Sequence, residues 1–124
     1  MPILIIEDNP MNTKLVRDLL HANGYSTLAA QDATTGLQMA RLEKPSLILM
    51  DIDLPGMNGL DATRVLKSDP VTAGIPILAL TAYAMKGDEK KALDAGCDAY
   101  MSKPIDIRQF MNRVRILLGL GDEE

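Results

Sequence analysis

The sequence predicts an α/β fold, a doubly wound parallel sheet, from three observations. Five short apolar runs, Pro2–Ile6, Ser26–Ala30, Ser46–Met50, Ile75–Leu80 and Ala99–Ser102, recur about every 20 to 25 residues. Each is followed by a helical pattern instead of a tight hairpin, and that alternation builds βαβ units around a parallel sheet. The third run continues apolar through Leu47-Ile48-Leu49-Met50 to Asp51, bounded by Pro45 before and Pro55-Gly56 after, as in a strand buried on both faces.

The helical segments carry their own punctuation. The first has Asn9 as N-cap and Pro10 in its first turn, sets Met11, Leu15, Val16, Leu19 and Leu20 on one stripe, and meets Gly24 past its end. The second begins near Asp32, turns Leu37, Ala40 and Leu42 inward, and stops at Pro45. The third runs from about Asn58 to Lys67, before Asp69-Pro70. A short fourth has Asp88 as cap and Gly96 as stop, which leaves Ala82 to Gly87 as a loop with little to pin it, a candidate moving part. The fifth, capped by Asp106, carries Ile107, Phe110, Met111, Val114, Leu117 and Leu118, then frays into Gly119-Leu120-Gly121 and an acidic tail.

With 124 residues, 47% of them hydrophobic, the chain is the size of one domain with one core and has no room for a second catalytic or output domain. A net charge of −4, with no Lys or Arg cluster, argues against nucleic acid or anionic lipid as ligand and points to protein partners or a metal. No apolar run is long enough for a signal peptide or membrane span, so a soluble, cytoplasmic protein is expected. Cys97 is the only cysteine, which excludes an internal disulfide and a cysteine zinc site and makes it a small buried hydrophobe. The lone His21 reads as a surface or helix-end residue.

Function is concentrated where the strands end. Glu7 and Asp8 follow the first strand, Asp51 the third, Thr81 the fourth and Lys103 the fifth. In a doubly wound sheet these carboxyl ends share one rim, where ligands bind. Singly, each has an ordinary explanation: an acidic pair at a helix start for Glu7-Asp8, a turn aspartate for Asp51, a strand-end threonine for Thr81, a surface charge for Lys103. Together they form a site. Three acids at close range need a divalent cation, and Mg²⁺, or Mn²⁺ in its place, suits an oxygen-only donor set that lacks the His and Cys of a closed zinc site. A carboxylate beside such an ion can attack phosphorus to form an acyl phosphate, with a hydroxyl and an ammonium to steady the equatorial oxygens.

Glu7-Asp8, then Met50-Asp51-Ile52-Asp53-Leu54-Pro55-Gly56-Met57-Asn58-Gly59, then Leu80-Thr81-Ala82, then Tyr100-Met101-Ser102-Lys103-Pro104, resembles the receiver domains of two-component response regulators. The segment Thr81 to Ile105 is similar to stand-alone receivers of the DivK type and to receivers attached to hybrid histidine kinases. The resemblance implies a flavodoxin-like doubly wound (βα)5 fold, a five-stranded parallel sheet in the order 2-1-3-4-5, and a single receiver domain over residues 1–124 with no output domain. It implies that Asp51 is the phosphoacceptor, that Asp8, Asp51 and the backbone carbonyl of Asp53 ligate Mg²⁺, and that Glu7 holds metal-bound water. It also implies that Thr81 and Lys103 contact the phosphoryl group, that Lys103-Pro104 is cis, and that small Ala82 leaves access to the acceptor. The donor is then a histidine kinase or histidine phosphotransfer protein, and the readout face for a downstream protein is the fourth helix, fifth strand and fifth helix.

Tyr100 stands where the family carries its switching aromatic; the plain alternative is a strand tyrosine with an apolar body and a wet tip. A switch requires the phosphorylated acceptor to favour one arrangement of Thr81 and Tyr100 over the other. Asp53 adds a negative side chain near the site, and the bulk of Tyr83 predicts a long-lived acyl phosphate. Two rival readings are a haloacid-dehalogenase-like phosphatase, through Asp51-Ile52-Asp53, and a flavodoxin-like binding module. Against the first, the further acidic pair Glu7-Asp8 lies upstream of the nucleophile; against the second, Glu7-Asp8-Asn9 repels the phosphate that its first loop must cradle.

Overall fold

A computed structural model describes residues 1–82 and 87–120. In chain order the elements are β1 (Ile3–Ile6), α1 (Pro10–Ala22), β2 (Thr27–Ala30), α2 (Ala33–Glu43), β3 (Leu47–Asp51), α3 (Gly59–Ser68), β4 (Ile77–Thr81), α4 (Asp88–Ala95), β5 (Ala99–Ser102) and α5 (Ile107–Leu117). All strand pairings are parallel, and the sheet order is β2-β1-β3-β4-β5. The fold is thus the flavodoxin-like doubly wound arrangement that the sequence predicts.

The period of two along each strand divides the core into two layers. Leu4, Ile6, Ile48, Met50, Ile77 and Ala79 pack on one sheet face with residues of α2, α3 and α4. Ile3, Ile5, Leu47, Leu49, Leu78 and Leu80 pack on the other with Val16 and Leu20 of α1 and Phe110 and Val114 of α5. Burial of both faces is why these strands are apolar throughout. Register then levels the strand ends: Ile6 pairs with Met50, Asp51 with Leu80, and Thr81 with Ser102.

Asn9, Asp32 and Asp106 cap their helices as expected, and Asn58 caps α3, each side chain accepting from backbone N–H groups within one turn. Several assignments are corrected. Asp88 is the first residue of α4 and not its cap; Gly87, with φ of 90°, takes the cap position, and Asp88 and Glu89 instead face the positive end of the helix dipole. Met11 and Leu15 are 80% and 55% exposed, because they sit about 140° and 100° around α1 from buried Val16. Leu42 is exposed two residues past buried Ala40, on the far side of α2, and Ile107 is exposed in the opening turn of α5. The third and fourth strands also run one residue further than the apolar pattern, so that Asp51 and Thr81 are strand residues.

Cys97 is buried with its Sγ 3.6 Å from Thr63 Oγ1, and exposed His21 meets Thr27 across the α1–β2 connection. Tyr83, with the loop residues Ala84 to Lys86, and the acidic tail 121–124 lie outside the described residues.

Candidate phosphoacceptor site

Four of the five strands, β1, β3, β4 and β5, bring functional groups to the rim. Asp51 closes β3 and is 3% exposed, and its Oδ1 accepts a hydrogen bond from the Asp53 N–H at 2.9 Å. Gly59, the first residue of α3, lies under it so closely that a Cβ there would stand 2.4 Å from the Asp51 carbonyl oxygen and 2.7 Å from Ile52 Cα. No side chain fits in that space, so glycine lets α3 start directly beneath the acceptor.

The alternation along β3, and along β1 continued one residue past its end, puts Asp51 and Glu7 on the α1/α5 side. Glu7 is buried, and its Oε1 accepts from Lys103 Nζ at 2.7 Å while its Oε2 accepts from the Asn9 N–H at 3.1 Å. Lys103 Nζ also lies 3.7 Å from Asp51 Oδ2, and its backbone N–H donates to the Thr81 carbonyl at 2.7 Å, which ties β5 to β4 at the site. The Lys103-Pro104 peptide is cis, as the resemblance implied. Asp8 is exposed, and one carboxylate oxygen from each of Glu7, Asp8 and Asp51 lies within 4.8 Å of the others.

The charges do not balance. Burial pushes the Asp51 carboxyl up, and the hydrogen bond and charge of neighbouring Glu7 push it further, to about 7, against the weaker pull of the Asp53 N–H and Lys103. Burial also raises Glu7, but its hydrogen bonds with Lys103, Asp51 and the Asn9 N–H outweigh that and hold it below the usual carboxylate range. Burial lowers Lys103, and the Glu7 hydrogen bond with the charges of Asp51, Glu7 and Asp53 more than reverses this, so the ammonium stays protonated. Lys103 therefore neutralises Glu7 and reaches Asp51 only at 3.7 Å, which leaves the trio with net negative charge. An all-oxygen trio with one neutralised member suits a hard divalent ion that keeps part of its water shell, as Mg²⁺ does.

Thr81 is buried at the end of β4, and its hydroxyl donates to Asp53 Oδ2 at 2.9 Å. The Ala82 N–H donates to the same oxygen at 3.0 Å. The Asp53 side chain thus turns toward β4, apart from the acidic trio. Tyr100 is half-buried against the α2/α3/α4 core layer, opposite Ala79 in register and so diagonal to Thr81 on the same face.

Glu7, Asp8, Asp51, Thr81 and Lys103 all lie at this rim, while Tyr83 is outside the described residues. Three features were missed: the Glu7–Lys103 ion pair, which needs the β1 and β5 ends level; the Asp53 contact with Thr81 and Ala82; and the close approach at Gly59. The last had a local signal, since glycine is a poor opening residue for a helix unless room is short.

The sequence profile of the response regulator receiver domain matches residues 3–115. The chain belongs to that family. It is 46% identical to the polar-differentiation response regulator DivK of Brucella anthropi over 117 residues, covering 94% of this chain and 95% of that one. DivK of Brucella ovis matches with the same identity and coverage. Among solved structures, the receiver domain of a sensor histidine kinase from Pseudomonas aeruginosa PAO1, with a magnesium ion coordinated in its active-site cleft, superposes with a TM-score of 0.88 at 32% identity, over 95% of this chain and 97% of that one. A CheY-like response regulator receiver domain protein from Methanospirillum hungatei JF-1 gives 0.88 at 29% identity, over 95% and 93%.

As a receiver domain of two-component signalling, the chain is a signalling module and not a conventional enzyme, which sets aside the phosphatase and flavodoxin-like alternatives. Receiver domains of this kind take phosphate from histidine kinases or phosphotransfer proteins. Among the described residues no helix is long and apolar enough to cross a membrane.

Proposed function

We propose that this receiver domain is a phosphorylation-dependent switch that accepts a phosphoryl group on Asp51 from a phosphohistidine of a histidine kinase or phosphotransfer protein. A carboxylate oxygen of Asp51 attacks phosphorus, the P–N bond breaks, and the imidazole nitrogen leaves with the electron pair and is protonated. The observation that supports this most strongly is geometric: buried Asp51 meets Glu7 and Asp8 within 4.8 Å, with Lys103 Nζ 3.7 Å from its Oδ2. Lys103 is shared between Glu7 and Asp51 and so compensates the acidic trio only in part.

Asp8, Asp51 and the backbone carbonyl of Asp53 would hold Mg²⁺, with Glu7 beside them; Mn²⁺ would serve in its place. The ion supplies charge neutralisation for the carboxylates and the incoming phosphoryl oxygens. Lys103 Nζ, 3.7 Å from Asp51 Oδ2, stabilises negative charge on the transferring group. The Thr81 hydroxyl does the same from β4, and its inward movement makes space for the Tyr100 ring. That movement would be read at the α4-β5-α5 face, where a cleft of about 620 Å³ is lined by Tyr100, Met101, Asp106, Gln109 and Arg113. Output then passes to a protein partner, in the cytoplasm.

Incubation with Mg²⁺ and acetyl phosphate, followed by intact mass measurement, tests the reading. One phosphoryl adduct on the wild type and none on Asp51→Asn is expected. An adduct on both, or on neither, overturns it.

A further inference from the structure

Two hydrogen-bond donors at the end of β4, the Thr81 hydroxyl and the Ala82 N–H, converge on a single carboxylate oxygen, Oδ2 of Asp53. The same residue donates its N–H to Asp51 Oδ1 at 2.9 Å, so the Asp53 side chain is held within one turn of the acceptor. A hydroxyl and an amide N–H meeting at one anionic oxygen is the arrangement that receives an oxygen of a tetrahedral anion. Here the anion is part of the chain.

We infer that Asp53 is a positioning residue that acts as an internal stand-in for the phosphoryl group: its carboxylate occupies the Thr81 and Ala82 donors before phosphorylation and must be expelled when Asp51 is modified. The inference rests on the phosphoacceptor reading and adds a self-occupied donor pair to it. One carboxylate oxygen cannot share both donors with a phosphoryl oxygen, and the negative charge of Asp53 opposes a second anion beside it. The contact also holds Thr81 to the β3–α3 turn, so the unphosphorylated chain keeps Thr81 engaged. A neutral or shorter residue at position 53 leaves both donors available and removes the repulsion, so an anion at Asp51 binds more tightly.

The test uses the whole chain and beryllofluoride, made from beryllium chloride and fluoride, as a non-covalent tetrahedral anion, with Mg²⁺ titrated to saturation separately for each protein. Wild type, Asp53→Ala, Asp53→Asn and Asp51→Asn are compared by amide NMR. Without anion, the Ala82 amide proton of the wild type is expected well downfield, as in a charge-assisted hydrogen bond, and to move upfield in Asp53→Ala. With anion, Asp53→Ala is expected to bind about tenfold more tightly than the wild type, the size of one net hydrogen bond to a charged group. Asp53→Asn, which keeps an acceptor without the charge, falls between them. An Ala82 resonance unchanged by Asp53→Ala, or equal or weaker anion binding in that variant, overturns the inference while wild-type binding that is lost in Asp51→Asn leaves the phosphoacceptor reading intact. If no form binds beryllofluoride, both fall together.

Discussion

Replacing Asp51 by Asn removes a buried charge without changing the shape of the side chain, and its effect on metal-free stability follows from the site. The Asp51 carboxyl is raised from 3.8 to about 7 in the folded protein. At about 1.4 kcal/mol per pH unit, that displacement means ionised Asp51 weakens the metal-free fold by about 4 kcal/mol at most. The sign is set by proton uptake: between about pH 4 and 7 the folded chain holds a proton on Asp51 that the unfolded chain has lost. Wild-type stability therefore falls as pH rises through this window and levels off above 7. Asp51→Asn lacks this slope. Urea unfolding in EDTA at pH 5 and pH 8 is expected to show the wild type losing stability between the two values while the variant loses much less, so that the variant is the more stable at pH 8. Mg²⁺ narrows this gap, since an ion at 100 times its dissociation constant adds about 2.7 kcal/mol to a chain that binds it. Parallel pH dependences for the two proteins, or an equal gain from Mg²⁺, would refute the claim that Asp51 carries uncompensated charge.

Lys103→Met leaves Glu7 buried without its cation and is expected to destabilise the fold by about 3 kcal/mol in urea unfolding, with loss of the acetyl phosphate adduct. The same pair predicts behaviour in acid: Glu7 is held below its ordinary range, so its contribution is complete above that range and is lost as pH falls through the depressed value, visible as a steeper acid unfolding curve in wild type than in Glu7→Gln. Gly59→Ala sets a methyl against the backbone of Asp51 and Ile52; it is expected to cost about 1–3 kcal/mol and to slow phosphorylation, with mass spectrometry over time as the readout. Asn58→Ala removes the α3 cap and is expected to cost about 1 kcal/mol in thermal unfolding.

The fold was legible because its signals are local and repeated. Uninterrupted apolar strands between capped helices admit a parallel sheet and little else, and Asn9-Pro10, Asp32, Asn58 and Asp106 mark their helix starts by side-chain chemistry that acts within one turn. Where local signals competed, the reading slipped. Met11, Leu15 and Leu42 are apolar and helical, but which arc of a helix meets the sheet depends on the packing of the whole layer. Asp88 offered a capping side chain, yet the chain enters α4 through a left-handed glycine that Asp88 follows.

From the order of its residues alone, the chain determined that Glu7, Asp8, Asp51, Thr81 and Lys103 end parallel strands, and so that they meet on one rim. Only the tertiary structure decided how they pair there: Lys103 with Glu7, Asp53 with Thr81 and Ala82, and Asp51 left raised toward neutrality. Identity and spacing set which groups arrive. Register, close approach at Gly59 and burial set which charges find partners, because these depend on distances between segments far apart in the chain.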